Sequence, residues 1–276
     1  MSSAESILIT GASSYVGAKI YQDLKGNSQI RVSQIIGTYN SNPLSSDLVR
    51  LDLSSSESIK SLVENLRPTW IIHIAAIPNQ AGCAKDESYA HRVNYEGTRS
   101  LVECANVIGS KLLFISSEAA YDDSLYGKLK REGEGLVKGT KAGYVILQPA
   151  MIFGLSPNTK NDRPYNRLLR AIEEGGIASF DSDAKFYPTW LSHLSTVVQE
   201  VVRRPILNET IPVVGDRLSS RFEVASKVLG EFGIRVQEEH SKSSGTNAPL
   251  TQESLKRLGL PYYSTDQILS EVAGET

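Results

Sequence analysis

The chain has 276 residues, 40% apolar and 22% charged, with a formal net charge of −2, so it can bury one large α/β core, or a main domain with a smaller lobe. The interspersed charge offers no basic face for nucleic acid or an anionic membrane, and no apolar run approaches the roughly 18 residues of a membrane span. Cys83 and Cys104 are far apart and lack metal-ligand spacing, which argues for free thiols and no metal. With no leader pattern at the N-terminus, a cytoplasmic protein with a small-molecule partner is expected.

The apolar run Ile7-Leu8-Ile9 leads into Thr10-Gly11-Ala12-Ser13-Ser14-Tyr15-Val16-Gly17 and then an amphipathic segment, which reads as strand, tight turn and helix. Glycine permits backbone angles that a Cβ forbids and lets a ligand approach the main chain. Free N–H groups at the start of the next helix attract phosphate, so a dinucleotide pyrophosphate is the implied ligand. Ser14 stands where a G-x-x-G-x-x-G turn has its middle glycine, and it is small enough to be tolerated.

Further strands are expected at 33–39, 49–53, 70–76, 112–116 and 144–148, with helices over 56–66, 86–108 and 126–138. This alternation predicts a Rossmann-type, doubly wound parallel sheet whose strand C-termini share one crevice. After Gln148, Pro149, Pro157, Pro164, Pro188, Pro205 and Pro212 break the chain around helices near 163–174, 192–203 and 221–232. The expected organisation is a dinucleotide-binding domain over 1–150 and a smaller substrate lobe over 151–276, partly interleaved with it. The Ser-rich stretches at 41–46, 54–58 and 241–245 read as loops or caps.

Tyr126 and Lys130 are four apart, so they share a helix face and can act together. A cation about 4 Å from a phenol, at an effective dielectric of about 20, contributes on the order of 4 kcal/mol, at most roughly three pKa units. Such a phenol would donate a proton near neutral pH, with a serine at the adjoining strand end orienting the same carbonyl. The plainer reading of the pair is a surface contact.

TGASSYVG, LDL at 51–53, HIAA at 73–76, VNYEGT at 93–98, FISS, YGKLK and PTW at 188–190 follow one another as in the extended short-chain dehydrogenases/reductases. Within these the chain most resembles the dTDP-4-dehydrorhamnose reductase-like branch, which includes sugar-nucleotide reductases and the non-catalytic β subunit of methionine adenosyltransferase. The resemblance implies pyrophosphate against Gly11, Ser13, Ser14, Tyr15, Val16 and Gly17, and adenine beside Asp52 and Leu53. It puts ribose and nicotinamide near Ala75, Ala76 and Ile77, with Pro149 also in the cofactor set. Ser117, Tyr126 and Lys130 take the catalytic positions, the latter two also touching cofactor, and Ser117, Glu118 and Met151 face the substrate. Asn94 is expected to be a structural hydrogen-bonder.

The implied activity is reduction of a ketone on a nucleotide-activated sugar, and the alternative is a cofactor-binding regulator without turnover. A dehydratase or epimerase would reuse the triad, but the dehydratase acid pair beside the serine is missing. Only nine positions separate Ser117 from Tyr126, where the reductases carry a longer, proline-containing loop; Gln148 replaces a common arginine and His193 a common aspartate. No carboxylate stands among Gly37 to Ser41 at the end of the second strand, and Thr38, Asn40 and Ser41 can donate to a 2′-phosphate, so NADP(H) is expected over NAD(H), with dual use possible. A homodimer is compatible with these motifs.

Overall fold

The computed structural model describes residues 5–160, 162–242, 245, 246 and 248–276. The leader reading at Met1 to Ala4 and the loop reading of Ser243 and Ser244 fall outside them. The first half runs β1 (Glu5–Thr10), α1 (Tyr15–Gly26), β2 (Val32–Tyr39), β3 (Val49–Arg50), α2 (Ser56–Leu66), β4 (Trp70–His73), α3 (Asn79–Lys85) and α4 (Glu87–His91). A π-helical turn (Arg92–Glu96) continues into α5 (Gly97–Ile108), followed by β5 (Lys111–Ile115), a 3-10 turn (Glu118–Tyr121), α6 (Leu125–Val137) and β6 (Tyr144–Pro149). Next come β7 (Met151–Phe153), α7 (Pro164–Glu174), β8 (Ile177–Asp181), β9 (Lys185–Phe186), β10 (Pro188–Trp190), α8 (Leu191–Arg203) and β11 (Glu209–Val213). The chain closes with β12 (Ser219–Ser220), α9 (Arg221–Gly230), β13 (Arg235–Glu239), α10 (Glu253–Arg257) and α11 (Thr265–Gly274).

Seven strands form one parallel sheet in the order β11-β6-β5-β4-β1-β2-β3. From β1 the chain winds first toward β3 and then, through β4, toward β11. The order therefore reverses between β1 and β4, where an open α/β sheet leaves a crevice beyond its strand C-termini. Side chains alternate across β1: Ile7 and Ile9 pack with Ile20, Leu24 and, from α8, Leu194 and Val198. Leu8 faces the other way, toward Ile59 and Val63 of α2 and Leu101 of α5. A third core, including Phe153, Tyr165, Val224 and Ile268, builds the smaller lobe and reaches Tyr15 at the start of α1.

Several boundaries differ from the sequence expectation. β4 stops at His73 because the Thr10 hydroxyl takes the Ile74 and Ala75 N–H groups at 3.1 and 3.3 Å. β3 stops at Arg50 because Asp52 turns to bind the N–H and hydroxyl of Ser54. The helix expected over 86–108 is interrupted by the π turn, and α3 and the seventh strand, β11, were not read from sequence. Among the described residues no helix is long and apolar enough to cross a membrane, and no group of three or more candidate ligands for a metal occurs. Cys83 and Cys104 are free and buried.

Candidate active site

The glycine turn is shaped by close packing. Gly11 has φ +74°, and a Cβ there would lie 2.9 Å from the Ala75 Cα; a Cβ on Gly17 would lie 2.0 Å from the Gly11 carbonyl oxygen. Ser14, by contrast, has φ −78°, which any residue adopts, and its hydroxyl caps α1 by accepting the Gly17 N–H at 3.0 Å. The missing middle glycine is thus a helix cap. The smaller lobe holds the turn from outside: Asn158 Nδ2 donates to the Ser13 carbonyl at 2.8 Å, and Ser156 Oγ to that of Tyr15 at 2.7 Å.

From this turn a cleft of about 370 Å³ extends along the strand ends. Ser13, Ser14, Tyr15 and Val16 line it with Gly11; Thr38 and Asn40 come from the end of β2, and Leu53 precedes α2. Ala75, Ala76 and Ile77 follow β4, Ser117 follows β5, Tyr126 and Lys130 come from α6, Pro149 ends β6 and Met151 opens β7. Four other candidates do not line it. Gly17 lies behind the turn, Ser41 is exposed, and Asp52 is turned to Ser54. The Glu118 carboxyl is pushed up to about 7 by burial, which outweighs its bond from Thr246. Sequence reasoning missed Tyr89, Val93 and Arg163 among the lining residues. Arg163 precedes α7 and belongs to no motif, so only the lobe's folding back over the sheet reveals it.

The residues fit a dinucleotide: a turn in which Gly11 admits no side chain opens onto a helix N-terminus, and no carboxylate stands at the end of β2. Asp47, the nearest acid after that strand, is occupied by Lys25 and the Tyr21 hydroxyl, each at 2.7 Å. Thr38 is 1% exposed and its hydroxyl accepts the Gly11 N–H at 3.3 Å.

Ser124 caps α6 by accepting the Gly127 N–H at 3.0 Å, which places Tyr126 in the first turn and Lys130 one turn on. Lys130 is 4% exposed; its ammonium donates to the Ile115 carbonyl at 2.8 Å and lies 4.6 Å from the Phe114 ring centroid. Burial pushes this lysine down to about 8, with Glu134 and then Cys83 opposing. Burial pushes the Tyr126 phenol up to about 12, while the neighbouring Ser117 hydroxyl and the Arg163 charge pull it down. The expected drop toward neutrality is therefore absent. Lys130 stands 5.9 Å from the Tyr126 ring centroid and is engaged elsewhere, so the desolvation of the phenol wins.

Asn94 sits in the π turn with both amide atoms on Ile77: Oδ1 accepts its N–H at 2.7 Å and Nδ2 donates to its carbonyl at 3.0 Å. This fixes the cleft wall after β4. His73 joins the same wall, bridging Thr10 at 2.8 Å and Thr98 at 3.0 Å.

A family model described as the RmlD substrate binding domain matches residues 5–258. The chain belongs to that family. The dTDP-4-dehydrorhamnose reductase of Aggregatibacter actinomycetemcomitans is 24% identical over 220 residues, covering 74% of this chain and 70% of the relative. The methionine adenosyltransferase 2 subunit beta of Bos taurus is 22% identical over 246 residues, covering 83% and 72%. Among solved structures, dTDP-4-dehydrorhamnose reductase from Bacillus anthracis in complex with NADP superposes with a TM-score of 0.83 at 20% identity, covering 99% of this chain and 100% of that one. That superposition shows the RmlD-type fold; the family contains nicotinamide-dependent reductases, and the subunit-beta relatives stand equally near.

Proposed function

We propose that this RmlD-family protein is a nicotinamide-dependent reductase acting on a ketone of a nucleotide-activated sugar. The observation that carries the reading is the convergence of Ser117, Tyr126 and Lys130 on the cleft that begins at the glycine turn. A bound dinucleotide would supply the hydride to the carbonyl carbon. Ser117, beside the Tyr126 phenol, orients the ketone oxygen, and Tyr126 gives its proton to that oxygen as it becomes an alkoxide. A phenol near 12 is still an acid relative to a nascent secondary alkoxide, so the upward shift keeps the proton in place until charge develops. Lys130 keeps a positive charge beneath the pair.

Among the described lining residues there is no Asp or Glu, and the charged side chains are Lys130 and Arg163. Such a cleft suits anionic ligands, a nucleotide diphosphate among them, and Met151 supplies apolar contact beside them. The test is a screen of nucleotide ketosugars while nicotinamide absorbance is followed; consumption with at least one is expected. NADP(H) is the preferred cofactor and NAD(H) is also accepted, because no carboxylate guards the end of β2. Titrating both reduced forms by fluorescence should give equal or tighter NADPH binding. NADH binding tenfold tighter, about 1.4 kcal/mol, would contradict this.

One observation favours a second reading, a cofactor-binding regulator resembling the adenosyltransferase β subunit. The segment between Ser117 and Tyr126 is one 3-10 turn and a short link, a thin wall for a sugar. In that case the protein binds a dinucleotide, oxidises none with any nucleotide sugar, and co-purifies with a larger enzyme.

A further inference from the structure

Behind the Tyr126 and Lys130 pair lies a third residue on the same helix stripe. Glu134 is four residues beyond Lys130, 8% exposed, and its Oε1 accepts from Ser116 Oγ at 2.5 Å and from Gln148 Nε2 at 2.9 Å. The Gln148 Oε1 accepts in turn from the Tyr121 hydroxyl at 3.4 Å. An arginine at 148, which the family resemblance would supply, would pair with this carboxylate; glutamine binds it without neutralising it. Among the described residues no lysine or arginine forms an ion pair with Glu134, and no acid lies within ion-pair distance of Lys130. A carboxylate buried without a cation and an ammonium buried without an anion, one helical turn apart, each relieve the other's desolvation.

We infer that Glu134 is a positioning residue of this site: held by Ser116 and Gln148, it is the buried counter-charge that keeps Lys130 charged and docked on the Ile115 carbonyl beneath Tyr126. The inference rests on the reading of Tyr126 and Lys130 as the working pair and is independent of the substrate. The groups facing Lys130 are Glu134 and Tyr126 on its own helix, Cys83 on α3 and His73 on β4.

The test needs no ligand. Lys130 is held at about 8 in the folded chain against a free value of 10.5. Between those values the unfolded chain binds more protons, so this group's contribution to stability rises with pH across the window. Melting temperature is measured against pH for the unaltered protein, Glu134→Gln, Lys130→Met and the double variant. Glu134→Gln should move the onset of the rise down by about one pH unit, and in the Lys130→Met background the same change should leave the profile's shape unaltered, which cancels Cys83 and Tyr126. A drop of equal size at every pH, or the same displacement with Lys130 absent, overturns the inference. If Glu134→Gln does not fold, Gln148→Arg, which diverts the carboxylate to a second cation, should displace the onset in the same direction; no displacement overturns it. Failure of the unaltered protein to bind or oxidise any dinucleotide counts against the proposed function and leaves this reading of Glu134 to the thermal result.

Discussion

Arg163 tests how far charge in the cleft selects the ligand. Its guanidinium is near enough to lower both the Tyr126 and Tyr15 phenols, while the neighbouring Asp162 is taken by Arg167 and Arg170 at 2.7 and 2.6 Å. Arg163→Met should raise KM for a nucleotide sugar by about ten- to a hundredfold, the loss of one charged hydrogen-bonding partner, with kcat changing less. Steady-state kinetics check it, and an unchanged KM would remove Arg163 from substrate binding. At this scale the sequence announced residue identities better than electrostatics. The four-residue spacing put Tyr126 and Lys130 on one face, but spacing carries no information on burial, and burial reversed the expected shift of the phenol. Arg163 escaped notice because a lone arginine in a proline-broken loop has no periodicity, and Asp52 stands outside the cleft lining because its bonds to Ser54 are local turn chemistry, which no motif announces.

The glycine turn and its helix work as a single element. Ser14→Ala removes the α1 cap and should cost about 0.5–2 kcal/mol, read as a lower urea midpoint with the fold retained. Gly17→Ala should cost about 1–3 kcal/mol and weaken dinucleotide binding as well, because its Cβ meets the backbone of the turn. Equal effects of both changes on cofactor affinity would contradict this division of roles. The turn was legible because apolar strand, glycine and helix follow one another without interruption. The π turn was not: its cause is the Asn94 amide reaching Ile77, seventeen residues back in the chain. A helical pattern continues through such a bulge and conceals it.

The whole molecule is built on a parallel sheet whose last strand, β11, and one covering helix, α8, come from the chain beyond residue 150. β11 was hidden by Pro212, which speaks against a central strand; at the edge of the sheet, one side of the ladder is unpaired and proline is tolerated. Two buried histidines tie this assembly to pH. Burial pushes His73 down to about 3, with Lys130 adding to the shift, and His193 down to about 4. Below their free value of 6.5 the unfolded chain takes up protons that the folded chain refuses. The histidines' contribution to stability should therefore be full above pH 6.5 and be lost as pH drops through 6 and 5, with a shallower fall in His73→Gln. Urea midpoints across that range check it, and an identical slope in the variant would refute the role of His73. The central claim, that the cleft reduces a ketone with Tyr126 as the proton donor, meets its most direct test in one paired measurement on the unaltered protein and Tyr126→Phe. Nicotinamide oxidation is followed with a nucleotide ketosugar while dinucleotide affinity is read by fluorescence. The account predicts turnover lowered by about 10²–10⁴-fold at nearly unchanged cofactor affinity; turnover retained in Tyr126→Phe, or none in the unaltered protein with any ketosugar, would contradict it.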